Sequence, residues 1–155
     1  CVGGPLERAS IYYAAADRAG LPRDKLRLVD HVAPAEVPRW MRVCDVATIP
    51  WPWNDFSAHA TSPLKLFEYM AAGVPIVASD LPSLREIIRH EENGWLVRPG
   101  DSAALADGLR TVLETPFLAR RLADQAHREV ASFTWARRVR RILDRIGRSG
   151  VLPHN

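Results

Sequence analysis

Short apolar runs alternating with helical patterns constrain the fold of this chain more than any single residue does. "LRLVD", "DVATIP", "PIVAS" and "WLVRP" are runs of five or six residues, and between them apolar residues recur at three- and four-residue spacing. Strands this short, separated by longer helices, imply βαβ units with a parallel sheet and right-handed crossovers. The expected fold is α/β, a doubly wound Rossmann-like parallel sheet with a helical C-terminal extension. Ligands of such sheets bind at the carboxyl ends of the strands, in the loops that lead into helices.

The helical segments carry their own punctuation. In "PLERASIYYAAADRAG", Pro5 suits a first turn and Gly20 a stop. "PAEVPRWMRVC" sets Val37, Trp40, Met41 and Cys44 on one apolar stripe, and a long loop, "WPWNDFSAHAT", follows the next strand. A helix then opens in "SPLKLFE", and in "LPSLREIIRH" Ser83 is expected as cap with Glu86 in the first turn. Asp101 is the expected N-cap of a helix with Ala104, Leu105, Leu109, Val112 and Leu113 on one side. Pro116 separates it from the next helix, and Thr134 caps the last.

At 155 residues the chain is long enough to bury a core and is expected to form one unit over residues 1–155. "CVGGP" reaches a Gly-Gly-Pro turn after two residues, so most of the strand feeding that turn is expected to be missing. Cys1 and Cys44 lie in apolar surroundings with no CxxC or Cys/His spacing, which points to a reduced cytosolic setting without a metal site. No apolar run approaches the roughly 18 residues of a membrane span. The formal charge of +3 is modest and argues against a nucleic-acid binder. The excess gathers in "WARRVRRILDRIGR", where arginines face a single aspartate. On that helix Trp135, Val139, Ile142 and Ile146 form a stripe, fit for an anionic membrane surface or for another domain of the same protein, with Trp135 expected to anchor it by packing.

The chemistry concentrates in "SPLKLFE". If Ser62 caps the helix and Pro63 takes its first position, the backbone amides of Leu64 and Lys65 point outward, and the helix dipole adds about half a positive charge. Such an end suits phosphate, and the Lys65 ammonium reinforces it. Glu68 shares that face one turn later, and helical side chains lean toward the amino end. Its acceptor-only carboxylate suits a ribose diol and repels phosphate. The spacing therefore fits a nucleotide, although Lys65 and Glu68 also fit a solvated ion pair. His59, in the preceding loop, is open between ligand contact and plain exposure, and His127 reads as a surface residue. Trp51 and Trp53 are equally suited to stacking on a sugar or base and to covering the core edge.

The string "SPLKLFEYMAAGVPIVASDLPSLREII", followed by "NGWLVRPGDSAALADGL" and "FTWARRVRRIL", resembles the carboxyl-terminal half of retaining GT-B glycosyltransferases of family 4, the "glycosyl transferases group 1" type. The likeness runs from Gly3 to about Ile146. It implies that Glu68 takes the ribose hydroxyls and that backbone around Ser62, Pro63, Leu64 and Lys65 meets the diphosphate of a donor nucleotide sugar. It also implies a Gly-rich strand end at Gly3 and Gly4, and a base contact at the backbone of His31 and Val32. A second glutamate that many members carry eight positions before Glu68 is Ala60 here, so sugar contacts are expected from the 59–63 loop or from His59.

The resemblance further implies a donor-binding domain of a hexosyltransferase acting on a sugar or lipid-linked acceptor, completed by an amino-terminal acceptor domain absent from this chain. It implies no metal and no cofactor beyond the donor itself, and no catalytic side chain is identified. A cytoplasmic place, at the inner face of the cytoplasmic membrane, goes with that reading. Two rival functions stay open: a sugar-nucleotide epimerase of the same fold, and a non-catalytic nucleotide-sugar-binding domain.

Overall fold

Three strands carry the sheet: β1 (Ala47–Ile49), β2 (Ile76–Ser79) and β3 (Trp95–Val97), in the order β1-β2-β3 and all parallel. The register pairs Thr48 with Val77 and Ala78 with Leu96. These coordinates are a computed structural model that describes residues 2–3 and 6–148. Their contacts group into two compact units, Cys1–Val43 and Cys44–Asn155, where one unit is expected from the sequence.

In the second unit all four residues of β2 are buried, because both faces of the strand are covered. Ile76 and Ala78 pack with Leu66, Met70, Leu84 and Ala126, whereas Val77 on the opposite face packs with Val97, Val112 and Leu122. Helix α4 (Leu64–Ala72) supplies Leu66 and Met70 at i, i+4. It stops at Gly73, whose φ of 69° accepts the left-handed turn, and the amides of Gly73 and Val74 close on Met70 and Tyr69 carbonyls. Helix α6 (Ser102–Glu114), capped by Asp101 through the Ala104 amide, presses so closely on β3 that a Cβ at Gly108 would meet Val97 Cγ1 at 2.7 Å. Helix α7 (Pro116–Val130) contributes to both clusters, and α8 (Trp135–Arg148) follows with the Thr134 hydroxyl accepting from the Arg137 amide.

The first unit holds a 3-10 turn at Leu6–Arg8 running into α1 (Ala9–Arg18), and α2 (Val37–Arg42). On α2 Met41 is buried, while Cys44, expected on the same stripe, is exposed beyond the helix end. "LRLVD" does not form a full strand: Val29 alone bridges Val2 in parallel, with the Gly3 amide donating to Val29 O at 3.1 Å. Pro5 lies outside the described residues.

Three expectations in the second unit are corrected. "LPSLREIIRH" yields only one turn, α5 (Pro82–Arg85), with Leu81 as N-cap, so Ser83 is interior and Glu86 sits at the carboxyl cap. Proline at the first position starts the helix without a side-chain cap, and the Ser83 hydroxyl turns inward instead. Trp135 does not anchor α8 against the rest of this unit: it is 71% exposed, with the Arg138 guanidinium over its ring at 5.5 Å. Its indole finds a cation in its own helix rather than a packing partner.

The β2–β3 connection is locked onto α7 by a polar knot. Asn93, 1% exposed, accepts from the Arg89 amide and donates to Ile87 O at 2.9 Å and Glu129 Oε2 at 2.7 Å. Arg89 donates to both Glu92 and Glu129. Burial alone would raise the Glu129 carboxyl, but donation from Arg89, Gln125 and Asn93 outweighs it and holds the group below the ordinary carboxylate value. Replacing Asn93 by alanine removes three hydrogen bonds at a buried site and is expected to cost about 2–4 kcal/mol in urea unfolding. Because the folded-state value of Glu129 is depressed, its stabilisation is present above the unfolded carboxylate pKa and lost as pH falls through the folded one. The gap in unfolding free energy between wild type and Glu129→Gln should therefore narrow in acid, which denaturation at pH 7 and in steps below pH 5 checks.

Candidate functional site

At the carboxyl end of β1 the chain enters residues 50–63, of which 51–61 are expected from the sequence as a long loop. Part of it is helical: α3 (Asp55–His59) is held by a capping box in which Asn54 Oδ1 accepts from the Ser57 amide at 2.8 Å and Ser57 Oγ accepts from the Asn54 amide at 3.2 Å. The Ser57 hydroxyl donates to Pro52 O at 2.7 Å, and Thr61 Oγ1 donates to Phe56 O at 2.8 Å. His59 is thus the last residue of a short helix, exposed, with its ring edge-on to Trp53 at 6.4 Å. Trp51 packs against the core, so it covers the core edge, whereas Trp53 is exposed beside His59. The Asn-x-x-Ser spacing at 54–57 is the local sequence signal for this turn.

The next element is the phosphate candidate. Helix α4 begins one residue later than expected: Pro63, with ψ 117°, is its N-cap and Ser62 lies outside it. A proline cap has no side-chain acceptor, so no side chain caps α4. The Leu66 amide turns back onto Pro63 O at 3.1 Å, while the amides of Leu64 and Lys65 meet no acceptor among the described residues. Two free donors and the positive end of the dipole remain, the elements of an anion site. The correction moves the cap but leaves the same two amides open.

Lys65 and Glu68 stand on one face, Nζ to Oε2 at 2.9 Å, with side chains 59% and 44% exposed. At that exposure the pair adds only a few tenths of a kcal/mol to stability. The contact sets the Glu68 carboxylate on the Lys65 side of the helix, one turn after the two free amides. One position on, burial pushes the Tyr69 hydroxyl above its ordinary value, so it remains protonated at neutral pH.

The remaining expected residues belong to the first unit. Gly3 has φ 98° and its amide is engaged by Val29, and Gly4 lies outside the described residues. The His31 amide is held at 2.7 Å by the Asp30 carboxylate, and Val32 is half-buried with no such bond. Among the described residues no group of three or more His, Cys, Asp or Glu side chains is placed to hold a metal ion, and no helix is long and apolar enough to cross a membrane. A cavity of about 200 Å³ opens at the carboxyl ends of the strands, lined by Pro50, Ser79, Val97, Arg98, Asp101 and Leu105, and none of the expected donor residues lines it.

Comparison with known proteins adds to this geometry. Residues 1–115 match the family model described as "Glycosyl transferases group 1". Over 88 residues the chain is 41% identical to the phosphatidyl-myo-inositol mannosyltransferase of Mycobacterium leprae, a match covering 55% of this chain and 24% of that protein. Sucrose-phosphate synthase from Thermosynechococcus elongatus superposes with a TM-score of 0.77 at 24% identity, covering 96% of this chain and 38% of that one. Anabaena HepE in complex with UDP-glucose superposes with a TM-score of 0.66 at 24% identity, covering 84% and 35%. The chain spans about a quarter of the length of the curated relatives it matches. The fold is that of GT-B glycosyltransferases, and the chain belongs to the glycosyl transferases group 1 family.

Proposed function

We propose that this chain is the donor-binding part of a retaining, family 4 glycosyltransferase that moves a hexose from a nucleoside-diphosphate sugar to a sugar or lipid-linked acceptor. The observation that carries the proposal is the uncapped start of α4, with two free amides, followed one turn later by Glu68 on the same face as Lys65. The diphosphate sits at the Leu64 and Lys65 amides, and Glu68 accepts from the ribose hydroxyls after parting from Lys65, whose ammonium turns to phosphate. With Ala60 in place of a carboxylate, the sugar is met by backbone of the 59–63 loop and by His59.

In the reaction the bond from the anomeric carbon to the diphosphate breaks, a bond to the acceptor oxygen forms on the same face, and the acceptor proton passes to the departing diphosphate. The protein's share is electrostatic: fixed amide dipoles and an ammonium meet charge as it develops, with no divalent ion. A UDP-glucose complex of one structural relative and the phosphatidyl-myo-inositol substrate in the name of another support a nucleotide-sugar donor and a lipid-linked acceptor. The acceptor domain, in the longer polypeptide, covers the exposed apolar side of α8, and the enzyme works in the cytoplasm at the membrane's inner face.

Calorimetric titration of the longer polypeptide with UDP, GDP and ADP tests this. One nucleotide is expected to bind, and Glu68→Ala to weaken it by about 1–3 kcal/mol. The same substitution should shift the unfolding free energy by less than about 1 kcal/mol, since its ion pair is exposed. Silence toward all three nucleotides would sink the donor assignment, and binding without turnover would leave a non-catalytic nucleotide-sugar domain.

A further inference from the structure

The backbone that presents Leu64 and Lys65 is secured from outside its own loop. The Ser83 hydroxyl, on α5, donates to the Ser57 carbonyl on α3 at 2.6 Å, across 26 residues of sequence. Both serines are buried, at 8% and 6% exposure. We propose that Ser83 is the positioning residue of the donor-phosphate turn: its hydroxyl fixes α3, and through α3 the 60–65 backbone. The proposal rests on the donor reading of that turn.

The links on either side are in place. The Asp80 amide donates to Val97 O at 2.7 Å, which ties the start of this connection to β3. Arg85 closes a two-pronged ion pair on the Asp80 carboxylate, so the carboxyl end of α5 is tied back to the residue that is bonded to β3. From α5 the Ser83 hydroxyl reaches the Ser57 carbonyl, and the Ser57 side chain donates to Pro52 O and accepts from the Asn54 amide. From α3 the Ala60 amide and Thr61 hydroxyl both close on Phe56 O, leaving one residue before the Pro63 cap. The carbonyl of Ser57 receives the bond in buried surroundings beside Ala58 and Leu84, so losing the hydroxyl leaves an acceptor that must find water by moving α3. Any such movement displaces the amides of Leu64 and Lys65 from a fixed ligand position, and preorganised donors lose their value when they shift.

The test compares wild type, Ser83→Ala and Ser83→Thr in the longer polypeptide, by amide hydrogen exchange and by titration with the nucleotide that wild type binds. Ser83→Ala is expected to speed exchange of residues 57–65 about fivefold or more while β2 stays protected, and to weaken nucleotide binding about fivefold, with Ser83→Thr restoring both. Unchanged exchange at 57–65 in Ser83→Ala would overturn the proposal. Faster exchange with unaltered nucleotide affinity would also overturn it, reducing the bond to a purely structural one. If wild type itself binds no nucleotide, the donor reading fails, and exchange alone then decides whether Ser83 clamps the turn. Should Ser83→Ala not fold, Ser83→Cys, with a similar volume and a weaker donor, takes its place with the same expectations.

Discussion

The second unit depends on β2 being covered on both faces. Ile76–Ser79 has no solvent to satisfy its backbone, so each peptide group must pair with β1 or β3, and the two neighbours are held in parallel register. Parallel strands put all their carboxyl ends on one edge. The segments that leave that edge, 50–63 after β1 and 80–85 after β2, must then lie side by side, which is how α3 and α5 come to share a hydrogen bond.

Along that edge the helices end differently. α3 is closed by Asn54 and Ser57, and α6 by Asp101, each with a side chain on the first free amides. α4 is left open behind a proline. An open helix start forgoes about 1 kcal/mol that a serine or aspartate cap would supply. The same opening leaves fixed donors for an anion, and a capping carboxylate would have cancelled them. The proline prevents such a cap while α3, braced by Ser83, holds the chain just before it. In the later part of the β2–β3 connection the knot of Arg89, Asn93 and Glu129 joins that connection to α7 through groups satisfied by one another.

What was legible in the sequence is what local physics encodes. The apolar runs at 47–49, 76–79 and 95–97 became strands because their apolar residues suit burial in a parallel sheet. Asp101 and Thr134 became caps because a short acceptor before a periodic run satisfies the first amides wherever the helix lies. Leu64, Lys65 and Glu68 were placed on one face by helical periodicity and the lean of side chains toward the amino end. Errors arose where the deciding partner was distant or the competition local. Ser62 lost the cap to Pro63, and "LRLVD" found only one bridging partner, at Val2. Ser83 was taken for a cap because its true acceptor lies 26 residues away.

The sequence by itself therefore determined the three strands, their parallel sheet and a helix start at "SPLK" with Lys65 and Glu68 on one face, since these follow from periodicity, proline geometry and burial over a dozen residues. Only the tertiary structure decided what holds that start in place, which tryptophan packs against the core, and that Trp135 faces outward. Those outcomes depend on which elements meet across the sheet edge, and a hydroxyl or an indole carries no local mark of the partner it will find.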